Sequence, residues 1–149
     1  MVTSDGTLSI IAGNGDVHGK AVSGRATDCP MRPTGIALDS KGNLYIADGN
    51  GFIERVTSTG VISIIGGTET TTNESNPRPG PAVNSPLAPL GLAIDADGDL
   101  YIADGNGYIE KVDPDGILSI VAGYPRPGLT VPVTWPVPNQ PMLVQDVAL

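Results

Sequence analysis

The feature that constrains this chain most is an internal duplication. Residues 43–56 read NLYIADGNGFIERV and residues 99–112 read DLYIADGNGYIEKV. Aligning residues 33–67 with residues 89–123 needs no gap: each position maps to the one 56 later, and 20 of the 35 pairs are identical. A partial third copy opens the chain, where DGTLSIIAG at 5–13 matches DGILSIVAG at 115–123 in seven of nine positions. Self-similarity at a fixed period marks a repeat architecture, in which each unit buries its apolar surface against its neighbours.

Within one unit the pattern predicts four short strands. GIALD (35–39) ends at SKGN, NLYIA (43–47) ends at DGNG, FIERV (52–56) ends at TSTG, and VISIIGG (61–67) closes the unit. Asn50-Gly51 and Asn106-Gly107 suit tight hairpins, and no segment has a helical apolar period long enough to compete. The strands GIAL, LYIA and ISII are apolar at consecutive positions, so both faces of each sheet must be covered. Small antiparallel meanders stacked face to face meet that demand, and closing the stack into a ring removes its open ends. The fold expected is therefore all-β, a β-propeller segment of about two complete four-stranded blades plus one N-terminal strand.

The chain divides accordingly. Residues 1–13 are read as the last strand of a preceding blade, 14–32 as an inter-blade loop, 33–67 as a blade, 68–88 as a second inter-blade loop and 89–123 as a second blade. Residues 124–149 form a Pro-rich tail or the lead-in to a further blade. Two blades cannot close a ring, since propellers carry roughly four to eight. The remaining blades must come from a longer parent chain or from other copies in a homo-oligomer.

The two units, PTGIALDSKGNLYIADGNGFIERV and PLGLAIDADGDLYIADGNGYIEKV, each followed by Gly, an apolar strand and GG or AG, resemble NHL repeats. The resemblance departs where the family has Asn-His-Arg, because Gly51-Phe52 and Gly107-Tyr108 stand there instead. It implies a propeller used as a protein-binding or adhesion platform, more rarely as an enzyme. It also favours an extracytoplasmic or secreted location, although the chain shows no signal peptide.

Composition excludes other classes. Eight Lys plus Arg against sixteen Asp plus Glu give a net charge of −8, which repels phosphate backbones, so nucleic acid is not an expected partner. No stretch approaches the length of a membrane span, and no membrane insertion is expected. The one cysteine, Cys29, offers neither an intrachain disulfide nor metal-ligand spacing.

The candidate chemistry is sparse. Asp95, Asp97 and Asp99 alternate in DADGDLY, and three carboxylates on one turn are the hard-oxygen set that suits Ca²⁺. Of the triad only Asp39 survives in the first unit, so a plain β-turn is the favoured reading and no cofactor is expected. Asp48 and Asp104 are read as residues that bond to the backbone of their own hairpins. Glu54 and Arg55, like Glu110 and Lys111, are expected to be solvated or paired between blades. His18 is solitary, and neither a zinc site nor a Ser-His-Asp triad can be assembled around it within this chain. Trp135, in TVPVTWPVP, is read as a cap on the last blade or a binding anchor.

Binding is expected on the rim that carries the long inter-blade segments, at Lys20, Arg25, Arg32, Asn50, Arg78 and Asn106, since recognition concentrates on loops held by a rigid scaffold. The ligand is read as a protein or another molecule on that rim. The function expected is thus a non-enzymatic scaffold for protein binding or adhesion. The alternative is a propeller lyase or lactone hydrolase with a divalent metal in its central channel.

Overall fold

The computed structural model describes residues 1–69 and 76–123 of the 149. The readings of the tail from residue 124, including Trp135, lie outside the described residues. The fold is set by two antiparallel sheets, one per repeat. Strand β1 is Gly24–Arg25, β2 Pro33–Leu38, β3 Leu44–Asp48, β4 Phe52–Val56 and β5 Val61–Gly67. The second repeat supplies β6 (Gly80–Pro81), β7 (Pro89–Ile94), β8 (Leu100–Asp104), β9 (Tyr108–Val112) and β10 (Ile117–Ala122). The sheet orders are β1-β5-β4-β3-β2 and β6-β10-β9-β8-β7. Each is the expected four-strand meander, with a two-residue strand added at its outer edge.

Turn chemistry sets the register. The Gly51 N–H donates to the Asp48 carbonyl (2.9 Å) and Gly51 takes φ 98°, so three residues reverse the chain and place Phe52 opposite Asp48. Gly67 adopts φ 93° in direct apposition to this hairpin: a Cβ there would lie 2.1 Å from the Gly51 carbonyl oxygen. At the other rim one side-chain acceptor organises each turn. The Asp39 carboxylate accepts the N–H groups of Lys41 (2.9 Å) and Asn43 (2.8 Å), and Asp113 those of Asp115 (3.0 Å) and Ile117 (2.9 Å).

The main core lies between the blades. Ala47 and Ile53 of the first blade pack with Leu100, Ile102, Val112 and Leu118 of the second. Comparing positions 56 apart shows what this contact covers. Ile53 is 1% exposed, whereas its counterpart Ile109, on the free face of the second blade, is 39% exposed. On the free face of the first blade Ile36 and Leu38 are 62% and 64% exposed, whereas their counterparts Leu92 and Ile94 are partly buried against the inter-blade core. Full burial of such a side chain contributes about 1.5–3 kcal/mol, so stacking is a main stabilising term. The inner strands β2 and β7 meet closely, and the Thr34 hydroxyl donates to the Pro89 carbonyl at 2.8 Å.

Two expectations are revised. Residues 14–32 and, in the second segment, 76–88 are more than loops, because each runs to the outer edge of the next blade, pairs there, makes one 3-10 turn (Ala26–Asp28, Ala82–Asn84) and returns through the core. The repeat itself explains this: Gly24, Ala26 and Pro30 recur as Gly80, Ala82 and Pro86, and Ala26 and Ala82 are fully buried. Residues 5–13, expected as a strand, show only an isolated bridge between Val2 and Leu8. A fourth strand needs a third beside it, and none stands there among the described residues.

The close approach of β2 and β7 gives a matched pair of predictions. A Cβ on Gly35 would lie 2.8 Å from the Gly91 Cα and 2.9 Å from the Leu90 carbonyl oxygen, whereas a Cβ on Gly91 would meet nothing within 4 Å. Gly35→Ala should therefore destabilise by about 1–3 kcal/mol, the usual cost of overpacking. Gly91→Ala should cost little. Thermal denaturation of the two variants checks this, and equal effects would contradict the packing.

Candidate functional site

The strand order gives the blades two rims. One carries the β3–β4 and β8–β9 hairpins, and the other carries the Asp39, Thr57, Asp95 and Asp113 turns. Four of the residues expected to bind share the hairpin rim. The Asn50 side chain donates to the Val17 carbonyl (3.3 Å), the Gly49 N–H donates to the Arg32 carbonyl (2.8 Å), and Lys20 pairs with Glu69 (2.6 Å) in solvent. Asn106 occupies the same hairpin position in the second blade.

Arg25 and Arg78 do not join them. Arg25 is paired opposite Val61, and the neighbouring Ala26 N–H donates to the Gly60 carbonyl (2.9 Å), which sets Arg25 at the outer edge near the acidic rim. Arg78 stands on the approach to β6, its N–H donating to the Ser85 hydroxyl (2.7 Å). The reason is the outer-edge excursion of these segments, which carries their basic residues away from the hairpins.

The three alternating aspartates have distinct tasks. Asp95 accepts the N–H groups of Asp97 (3.1 Å) and Asp99 (2.9 Å), and Asp99 pairs with Lys111 at 2.7 Å. Among the described residues no group of three or more His, Cys, Asp or Glu side chains is placed to hold a metal ion. His18 is exposed, and its N–H donates to Asp16 (2.9 Å). Cys29 is buried, and its sulfur lies 3.2 Å from both the Val22 and the Arg25 carbonyl oxygens, either of which can accept its single S–H. Burial, and after it the Glu54 carboxyl, pushes that thiol above its usual range.

Asp48 and Asp104 tie the hairpins to the lead-in segments. Asp48 accepts from the Asn50 N–H (2.8 Å) and the Arg32 N–H (3.2 Å), while Asp104 accepts from the Asn106 N–H (2.7 Å) and the Ala88 N–H (2.7 Å). The strand glutamates depart from expectation. Glu54 and Glu110 are 0% exposed, and among the described residues neither carboxyl has a hydrogen-bond partner. They are neither solvated nor paired, because alternation along β4 sets Glu54 on the same face as the buried Phe52 and Val56. The adjacent cations point the other way. Lys111 reaches Asp99, and Arg55 lines a cleft of about 260 Å³ between the blades, with Tyr45, Leu100, Val112 and Asp115. Sequence reasoning missed this cleft, which opens on the acidic rim.

No family model and no curated protein matches the chain. Solved structures do. The chain is similar to a Bacteroides thetaiotaomicron protein of unknown function, with a TM-score of 0.58 and 20% identity over 78% of this chain and 28% of that one. It is also similar to virginiamycin B lyase from Staphylococcus aureus, with a TM-score of 0.47 and 18% identity over 72% of this chain and 31% of that one. The two stacked antiparallel meanders, together with the likeness to the first of these structures, give the chain the fold of a partial β-propeller. It spans under a third of the length of either neighbour. Among the described residues no helix is long and apolar enough to cross a membrane.

The aspartate geometry predicts that the Asp95 turn does not depend on Ca²⁺, because Asp95 already binds backbone and Asp99 already binds Lys111. Millimolar Ca²⁺ should leave the melting temperature unchanged, since any ligand of the native state must raise it. An upward shift that disappears in Asp97→Ala would restore the metal reading.

Proposed function

We propose that this chain is two blades of an NHL-type β-propeller that serves as a non-enzymatic scaffold for protein binding or adhesion. The observation that carries the reading is the commitment of its repeated aspartates. Asp39, Asp95 and Asp113 hold turns, Asp48 and Asp104 hold hairpins, and Asp99 is paired, so the repeated carboxylates serve architecture. NHL-type repeats are supported by the P-x-G, LYIAD and Ile-Glu-basic-Val positions, which fall on the inner strand, the second strand and the third strand of each blade.

The ring is completed by blades from a longer parent chain or from further copies. Exposed Ile36, Leu38, Ile109 and Val121 on the two outer faces stand where the matching positions of the inner contact are covered. Apolar sheet faces of this kind mark sites of association. The chain on its own should therefore self-associate, which light scattering coupled to size exclusion will show. A cooperatively melting monomer would contradict that reading.

The ligand is held on the hairpin rim by Lys20, Arg32, Asn50 and Asn106. Against binders selected from a displayed protein library, the double variant Lys20→Glu/Arg32→Glu should weaken binding while Asp97→Lys/Asp115→Lys should not. The reverse pattern, with all variants folded, would move the site to the acidic rim.

A further inference from the structure

Each blade buries one carboxyl that the scaffold reading does not use. Glu54 on β4 lies in register with Ile46 on β3 and Ile64 on β5, and Glu110 on β9 lies in register with Ile102 and Ile120. Both side chains are fully buried, and among the described residues all four of their oxygens lack hydrogen-bond partners. An ionised carboxylate in such a setting carries the full cost of lost hydration, whereas the neutral acid carries far less.

The surroundings add little relief: only the backbone at Glu110 itself acts to lower a glutamate, and by less than burial and the neighbouring aspartate raise it. The titratable groups near Glu54 are the Asp48 carboxyl from β3 and the Cys29 thiol from the lead-in segment. Glu110 has Asp104 from β8 beside it. The first blade brings Ala47, Ile53, Tyr45 and Ile65 to the interface on that face, with Arg55 at the cleft on the acidic rim, and the second lead-in brings Ala82 and Leu87. Of these Tyr45 and Arg55 are ionisable, and the Tyr45 phenol is pushed up by burial and by Asp39. Among the described residues no Lys, Arg or His offsets either glutamate charge. Burial, and after it the neighbouring aspartate, raises Glu54 to about 7 and Glu110 to about 8.

We propose that each blade carries a built-in proton-binding carboxyl, Glu54 in the first and Glu110 in the second, whose ionisation loosens the packing of its blade. The propeller is firmest under mildly acidic conditions and relaxes above neutrality. The sign follows from linkage. Below about 4.5 the glutamates are protonated in both the folded and the unfolded chain, and they impose no pH dependence. Between that value and about 7 to 8 the folded chain keeps protons that the unfolded chain has released, so stability falls as pH rises. Asp39 acts oppositely. Burial would raise it, but hydrogen bonds from Asn43 and Lys41 hold it below the usual carboxylate range, so its contribution is lost only in strong acid.

Thermal melts of the chain at pH 5 and pH 8.5, for wild type, Glu54→Gln, Glu110→Gln and the double variant, test the device. Wild type should lose roughly 5 °C or more between the two pH values. Each single variant should lose less, and the double variant should be nearly indifferent to pH. Carboxyl ¹³C resonances of wild type should include two glutamates that titrate well above the rest. A wild-type melting temperature that is flat or rises with pH would overturn the proposal, as would an unchanged slope in the double variant. If the variants do not fold, glutamate resonances that all titrate near 4.5 would overturn it alone.

Discussion

The contact on which the rest of this structure depends is the face-to-face packing of one small sheet on the next. Neither meander has a core of its own, for a single sheet this thin buries nothing unless something lies on it. Ala47 and Ile53 against Leu100, Ile102 and Leu118 supply that cover in one place, and the Ala82–Leu87 stretch of the lead-in seals its margin. On the opposite face of the first blade the same task falls to Ala26, Cys29 and Met31. The lead-in is therefore part of the blade, which is why the repeat is 56 residues long although the four strands span only 35.

The architecture was legible in the sequence because its determinants are local and occur twice. Asp39 and Asp95 announce turns through their own carboxylates, Gly51 and Gly107 announce hairpins, and runs such as LYIA announce sheets covered on both sides. The lead-in strands were not legible, since two residues such as Gly24 and Arg25 carry no period. The weak echo of Gly24, Ala26 and Pro30 at Gly80, Ala82 and Pro86 was their signal. The same excursion accounts for Arg25 and Arg78, since the segments that carry them read as loops over one rim but travel to the outer edge and back.

The glutamates illustrate a different limit. Phe52, Glu54 and Val56 alternate on one face, so burial of the two flanking residues forces Glu54 inward, and this was readable from period alone. Charge suggested solvent, and alternation prevailed. The pair also shows that a repeated residue need not be a ligand-binding one. The same duplication that sets a turn aspartate twice also sets a buried acid twice, and the two act in opposite senses: the turn aspartate loses its contribution in strong acid, the buried glutamate as pH rises.

The inter-blade contact is open to one direct measurement. In a uniformly ¹³C-labelled chain, the close approach of the inner strands predicts a strong nuclear Overhauser effect between the Hα protons of Gly35 and Gly91, together with methyl contacts between Ile53 and Leu118. Its presence would place the two sheets as neighbouring blades. Two sets of intact sheet resonances with no cross-peak between them would contradict the propeller stacking from which every other conclusion descends.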